Sequence, residues 1–313
     1  MKLFRSAKTS GSGQLGLCFE PAGVSFAQVQ LRKNEVPRLL GCELIALEEP
    51  ASQTAIEQLV RQRRLKGSRT VLVLPPEHYQ VLQVEMADLP DEERREASRW
   101  QIRELINYPA GEAVVDLYDV APYSSEKRPL TYVVAARQSA LRSQVARVAG
   151  AGLHLSAIDI PEFTLRNIAD LYSEGSHGVA LLHLQEYHGL LVISREGILY
   201  LTRSFPIGMS QLSSCAPDDT EGLTEQLDSI VLEIQRSFDY CESIFHLPTV
   251  SKLLVAQTLT EIPTIINYLD NLLAPQVESL NFDGVMELPE GCEQLQLNRK
   301  LSAIGAALRR EGD

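Results

Sequence analysis

The chain carries one figure twice. Residues 179–184 are apolar except for His183, a polar turn follows over 185–188, and 189–194 is again apolar up to Ser194. A second turn, Arg195-Glu196-Gly197, leads into 198–205, and Pro206-Ile207-Gly208 closes the run. Three β-rich segments separated by turn chemistry predict a β-meander. The apolar character of the first predicts a strand covered on both faces. The same figure stands near the N-terminus, with strands over 15–19, 24–31 and 38–47 and turns over 20–23 and 32–35. Two meanders, each opening one half of a chain, predict a duplicated architecture of two lobes. The 313 residues allow roughly two domains.

Between the meanders, 50–66 predicts a helix on the spacing of Ile56, Leu59 and Val60, and 71–74 a buried strand stopped by Pro75-Pro76. Arg61, Arg63, Arg64, Lys66 and Arg69 form the one basic cluster, read as a solvated helix end rather than a phosphate site. Residues 79–85 predict another strand. Residues 90–108 predict a helix with acids in its first turn and Pro109 at its end. Trp100, the single tryptophan, lies nearly opposite the Ile102–Leu105–Ile106 face. That placement leaves two readings: a helix buried on two sides, or a tryptophan lining a groove. Strands over 113–120 and 130–135 follow, then a helix capped by Ser139, a strand over 153–158 and a helix from Pro161 to Tyr172. The polar stretch 173–178 is the expected boundary between lobes.

After the second meander and an acidic loop over 213–222, Leu227, Ile230, Val231, Ile234, Phe238, Cys241 and Phe245 mark one face of a long helix ending before Pro248. Then come a strand over 252–256, a helix capped by Thr260, a short strand over 277–280, an irregular stretch over 282–295 and a closing helix over 300–310. Strands alternating with helices imply α/β layers.

Composition removes several function classes. A net charge of −12 lacks the basic face that nucleic acid requires. Neither a signal-peptide core nor a membrane-length apolar run is seen, and residues 1–14 read as a flexible leader. Cys18, Cys42, Cys215, Cys241 and Cys292 are scattered without a C-x-x-C pair, a pattern of reduced thiols without a zinc site. Gly11-Ser12-Gly13-Gln14-Leu15-Gly16 spells G-x-G-x-x-G, but a dinucleotide loop follows a strand and opens a helix, whereas these glycines precede a strand. Cys18 as a nucleophile and His183 with His188 as metal ligands lose to plainer readings as strand and turn residues, since no third ligand stands at a suitable spacing.

The order of elements and several phrases carry a resemblance. These are Gly16-Leu17 with its hairpin; Ala97-Ser98-Arg99-Trp100 leading to Tyr108-Pro109 and Val114-Val115-Asp116; residues 133–138 with Ala151-Gly152-Leu153 and Asp159; Glu233 to Phe238; and Gly305 to Arg309. Over residues 15–308 the chain resembles the PilM-type proteins of type IV pilus assembly, above all the MshI-like relatives of mannose-sensitive haemagglutinin (MSHA) pili. The resemblance implies an actin-like α/β fold of two ribonuclease-H-like lobes, 15–176 and 177–313. A small α/β subdomain over about 79–152 is inserted in the first lobe. It also implies ATP with magnesium between two phosphate hairpins and a glycine-rich adenosine motif.

This chain departs from the family at all three places. The acid and glycine of the first hairpin fall on Cys18 and Glu20, those of the second on His183 and Gln185, and the late glycine pair on Ala256 and Gln257. Side chains there block close backbone approach to phosphate or base. The expectation is a scaffold without catalytic residues, metal or cofactor. The alternative is an actin-like ATPase or phosphotransferase with an atypical site. The implied partner is the cytoplasmic tail of a bitopic PilN- or MshJ-like inner-membrane protein, with the assembly ATPase of the pilus motor and self-association as further contacts. The implied groove involves Tyr79, Val81, Arg99, Trp100 and Arg103, and the implied place is the cytoplasmic side of the inner membrane. A type II secretion relative of the same fold continues into a membrane helix, which this sequence lacks.

Overall fold

The computed structural model describes residues 13–20, 23–46, 52–86, 89–120, 130–174, 177–214, 220–247 and 250–310. The expected leader, apart from residues 13 and 14, lies outside these, as do the centre of the acidic loop, part of the 173–178 boundary and Cys215.

The chain opens with β1 (Gln14–Glu20), β2 (Gly23–Gln30) and β3 (Arg38–Ala46), an antiparallel meander. After α1 (Gln53–Gln62), β4 (Arg69–Val73) returns parallel to β1. The chain then leaves this sheet through β5 (Tyr79–Val84), α2 (Asp91–Gln101), β6 (Ala113–Val120), β7 (Leu130–Arg137) and α3 (Gln138–Gly150). It comes back as β8 (His154–Asp159), parallel to β4. The sheet order is β3-β2-β1-β4-β8, and the excursion builds its own antiparallel sheet, β5-β7-β6.

Helix α4 (Pro161–Ala169) leads to the second meander, β9 (Gly178–Leu184), β10 (Gly189–Arg195) and β11 (Ile198–Phe205). Then follow α5 (Met209–Ser214), α6 (Thr220–Phe245), β12 (Val250–Gln257), α7 (Pro263–Leu272), β13 (Gln276–Ser279), α8 (Gln294–Asn298) and α9 (Leu301–Ala307). This sheet has the order β11-β10-β9-β12-β13, with β12 and β13 parallel to β9. Both sheets thus place a meander at one side and two parallel strands at the other. The first strand of each meander is central and buried throughout or nearly so, as its apolar sequence requires.

Helices α4 and α9 cross between the two main sheets. Helix α4 packs on β9, β10 and β11, whereas α9, at the far end of the sequence, packs on β1, β2 and β4. The chain thus exchanges one helix in each direction across the boundary read from the sequence. A Cβ at Gly16 of β1 would stand 1.9 Å from the Ala303 carbonyl oxygen, and one at Gly305 of α9 2.0 Å from the Thr164 carbonyl oxygen of α4. Only glycine lets the backbones approach this closely. Asn167 Nδ2 donates to the Gly305 carbonyl at 2.9 Å, and Arg309 pairs with the buried Asp159 at 2.9 Å, closing the same junction.

Three local expectations are corrected. The helix expected over 90–108 ends at Gln101 and tightens into a 3₁₀ turn, Ile102–Glu104, which turns Ile102 and Ile106 onto the insert sheet. Ser139 and Thr260 do not cap their helices: α3 begins at Gln138 without a side-chain cap, and α7 begins at Pro263, whose fixed φ suits a first helical position. Trp100 is 62% exposed, which removes the reading of a helix buried on two sides.

Candidate functional site

Two places gather the residues singled out in the sequence. The first is the cleft between the lobes. Cys18 and Glu20 lie at the end of β1, beside the β1–β2 hairpin, and His183 and Gln185 at the equivalent end of β9. Ala256 and Gln257 end β12, paired with His183 and Leu184. The fold therefore brings His183, Ala256 and Gln257 together in one lobe and Cys18 with Glu20 in the other.

Between them runs the link from α8 to α9. His183 Nε2 lies 3.0 Å from the Asn298 carbonyl oxygen, so that nitrogen carries the proton and donates. Asn298 Nδ2 donates to the Gln257 carbonyl at 3.0 Å, and Gln294 Nε2 to Asn298 Oδ1 at 2.9 Å. Gln257 Oε1 accepts from the Ile262 amide at 2.7 Å. On the other side, Arg299 and the buried Lys300 lie in the electrostatic field of Glu20, and Lys300 in that of Cys42. The chain's own Asn298-Arg299-Lys300 thus lies between the ends of β1 and β9.

The titration of these groups follows burial. Desolvation pushes the Cys18 thiol well above its usual range, with the Glu20 charge adding to the effect, so Cys18 is not an activated nucleophile. Burial raises the Glu20 carboxyl and lowers the Lys300 ammonium. His183 is lowered to about 4 by burial, with its bond to Asn298 opposing the shift, and its Nδ1 is buried without a partner. Among the described residues no group of three His, Cys, Asp or Glu side chains could hold a metal ion.

The second place is a cavity of about 690 Å³ where β5 enters the insert sheet and β7 leaves it. It is lined by Pro76, Glu77, His78, Tyr79 and Gln80 at the start of β5, and by Asn107, Tyr108, Ala135, Arg137, Ser139 and Ala140. Among the described residues β5 pairs only with β7, so its other edge is unpaired among them. Tyr79 Oη donates to Glu162 Oε2 of α4 at 2.7 Å. The Arg137 guanidinium stacks over the Tyr108 ring, 4.9 Å from its centroid.

The residues expected to form one partner groove divide. Tyr79 lines the cavity, and Val81 packs beside it against Leu74, Ala136 and Ile160. Arg99, Trp100 and Arg103 are exposed on α2 and its 3₁₀ turn, and none lines the cavity. The segment after α2 packs on the insert sheet through Ile102 and Ile106, against Val84, Val133 and Ala135. Sequence reasoning missed Tyr108, Arg137 and Ser139. The Pro75-Pro76 stop beside a predicted strand was the signal that an entry point lies there.

No family model matches the chain, and no curated protein matches it. Its fold is similar to a chain of the PilM-PilN type IV pilus biogenesis complex, with a TM-score of 0.72 at 18% identity over 94% of this chain and 97% of that one. It is also similar to the cytoplasmic domain of EpsL, an inner membrane component of the type II secretion system of Vibrio cholerae (TM-score 0.50, 10% identity, 94% and 95% covered). A Bacteroides thetaiotaomicron protein of actin-like ATPase fold and unknown function matches similarly (TM-score 0.50, 10% identity, 96% and 99% covered). These likenesses show the actin-like two-lobed α/β fold.

Proposed function

We propose that the chain, built on the actin-like two-lobed fold, is a non-catalytic scaffold of a type IV pilus assembly machine. In this reading it stands on the cytoplasmic side of the inner membrane and grips the tail of a bitopic PilN-like partner. The MshI-like phrases in the sequence make an MSHA-type pilus the specific assignment. The observation that carries the reading is the joint state of the two places: the interlobe cleft is spanned by Asn298-Arg299-Lys300, while the insert presents an open cavity beside an unpaired strand edge. A tail of extended chain suits that edge, because main-chain pairing supplies affinity and the cavity takes alternate side chains. The match to the PilM-PilN complex over nearly the whole of both chains supports it.

The test is titration of the purified chain with a fluorescent N-terminal peptide of a PilN- or MshJ-like protein, alongside calorimetry with ATP and magnesium. Saturable peptide binding lost in Tyr79→Ala, with no ATP heat, is expected. Micromolar ATP binding with no peptide binding would establish the ATPase reading instead.

A further inference from the structure

The cavity beside β5 has one chemically distinct end. Arg137 closes β7 and stands at the N-cap of α3, yet its side chain makes no hydrogen bond to that helix. Its guanidinium carbon lies over the Tyr108 ring, 4.9 Å from the centroid. The nearest acid, Glu112, approaches only to 3.6 Å, and both side chains are about half exposed. Tyr108 Oη is buried and has no hydrogen-bond partner. A buried hydroxyl without a partner costs free energy that a ligand oxygen recovers. Ser139 lines the same wall with an exposed side chain, one residue into α3, where amide donors of a 13-residue helix are not used within it. Glu77 and His78 also line the cavity, with His78 Nε2 3.4 Å from Gln144 Nε2.

We infer that the Arg137–Tyr108 end of this cavity receives a carboxylate, carried as an Asp or Glu side chain by the extended segment that docks along β5. A planar guanidinium beside an aromatic ring offers two parallel N–H donors to a carboxylate, and charge-assisted bonds of this kind are the strong ones. Ser139, exposed on the cavity lining, supplies a further donor. This inference rests on the peptide-docking reading above and adds the chemistry of its recognition.

The experiment pans a library of random twelve-residue peptides against the wild-type chain, keeping those whose binding is lost in Tyr79→Ala. Such peptides are expected to share an Asp or Glu at one position. For a synthetic winner, replacing that acid by its amide is expected to weaken binding about tenfold. Arg137→Gln is expected to cost the same, and the two changes together no more than either alone. Arg137 is half exposed, so its replacement leaves the fold intact, and Arg137→Lys, which keeps charge but not the planar fork, is expected to fall between. Winners that need Tyr79 but bind equally with acid or amide would overturn the carboxylate and leave peptide docking standing. A library that yields no Tyr79-dependent binder would overturn both.

Discussion

Tyr79 donates its hydroxyl to Glu162 at 2.7 Å, and this bond ties the first strand of the insert to the helix that packs on the second lobe's sheet. The wall of the cavity is therefore anchored to the centre of the molecule. Burial pushes the Tyr79 hydroxyl and the Glu162 carboxyl above their usual ranges, and the bond itself pulls Glu162 back down. Tyr79→Phe leaves the carboxylate without that donor and is expected to cost about 1–2 kcal/mol near pH 7. A carboxyl raised in the folded state contributes stability at low pH that is lost as pH rises from its unfolded value through its folded one. The variant, with Glu162 raised further, should lose stability more steeply above pH 5. Urea unfolding at a series of pH values checks this, and adding Glu162→Gln to Tyr79→Phe should remove the extra slope.

The division of the expected groove gives a second prediction. Tyr79 lines the cavity and Trp100 does not. For a PilN-type tail peptide, Tyr79→Ala should therefore weaken binding at least tenfold, while Trp100→Ala changes it by less than about twofold. Fluorescence anisotropy on both variants decides this. A large loss in Trp100→Ala would place the docking surface on the outer face of α2.

How far the sequence carried this far can be seen in particular residues. The paired meanders were legible because strand alternation and turn chemistry are local, and both appear where expected. The long helix was legible from the spacing of Leu227, Ile230, Ile234, Cys241 and Phe245, all buried on one face. The exchange of α4 and α9 between lobes was not, because which sheet a helix covers is a property of packing between distant segments. Gly16 and Gly305 could be seen as glycines in the sequence; their contacts, with Ala303 and Thr164, could not. Trp100 left two readings open, and packing removes the buried one: its helix stops at Gln101, so the face opposite Ile102 meets solvent. The link between the ends of β9 and β12 was half legible. The replacements at Glu20, His183 and Gln257 were in view, whereas the role of Asn298 depends on a short helix, α8, in a stretch read as mostly irregular.

The junction of α4 with α9 makes a third prediction. Gly305→Ala drives a methyl to within 2.0 Å of the Thr164 carbonyl oxygen, which neither backbone can avoid without moving apart. The expected loss is about 3 kcal/mol, at the upper end for overpacking. Gly111→Ala, where a Cβ meets nothing within 4 Å, serves as the control and should change stability by less than about 0.5 kcal/mol. Thermal unfolding of the two variants separates a packing requirement from a general intolerance of substitution.

The last prediction concerns the link between His183 and Asn298. His183 is held neutral, with a folded value of about 4 against an ordinary 6.5, because burial in β9 removes the water a cation needs. The unfolded chain therefore binds a proton that the folded chain refuses. Stability from this residue is complete above pH 6.5 and is lost as pH falls from there to about 4, a loss on the order of 3 kcal/mol. Raised carboxyls such as Glu20 and Glu162 act in the opposite sense, so the wild-type profile alone does not isolate the histidine. His183→Gln keeps an amide N–H able to reach the Asn298 carbonyl and carries no titrating group. The difference in unfolding free energy between wild type and variant should then shrink by about 3 kcal/mol, or reverse, as pH falls from 7 to 4. A difference that stays constant across that range would mean that His183 is hydrated in the folded state and that Asn298 does not close the cleft.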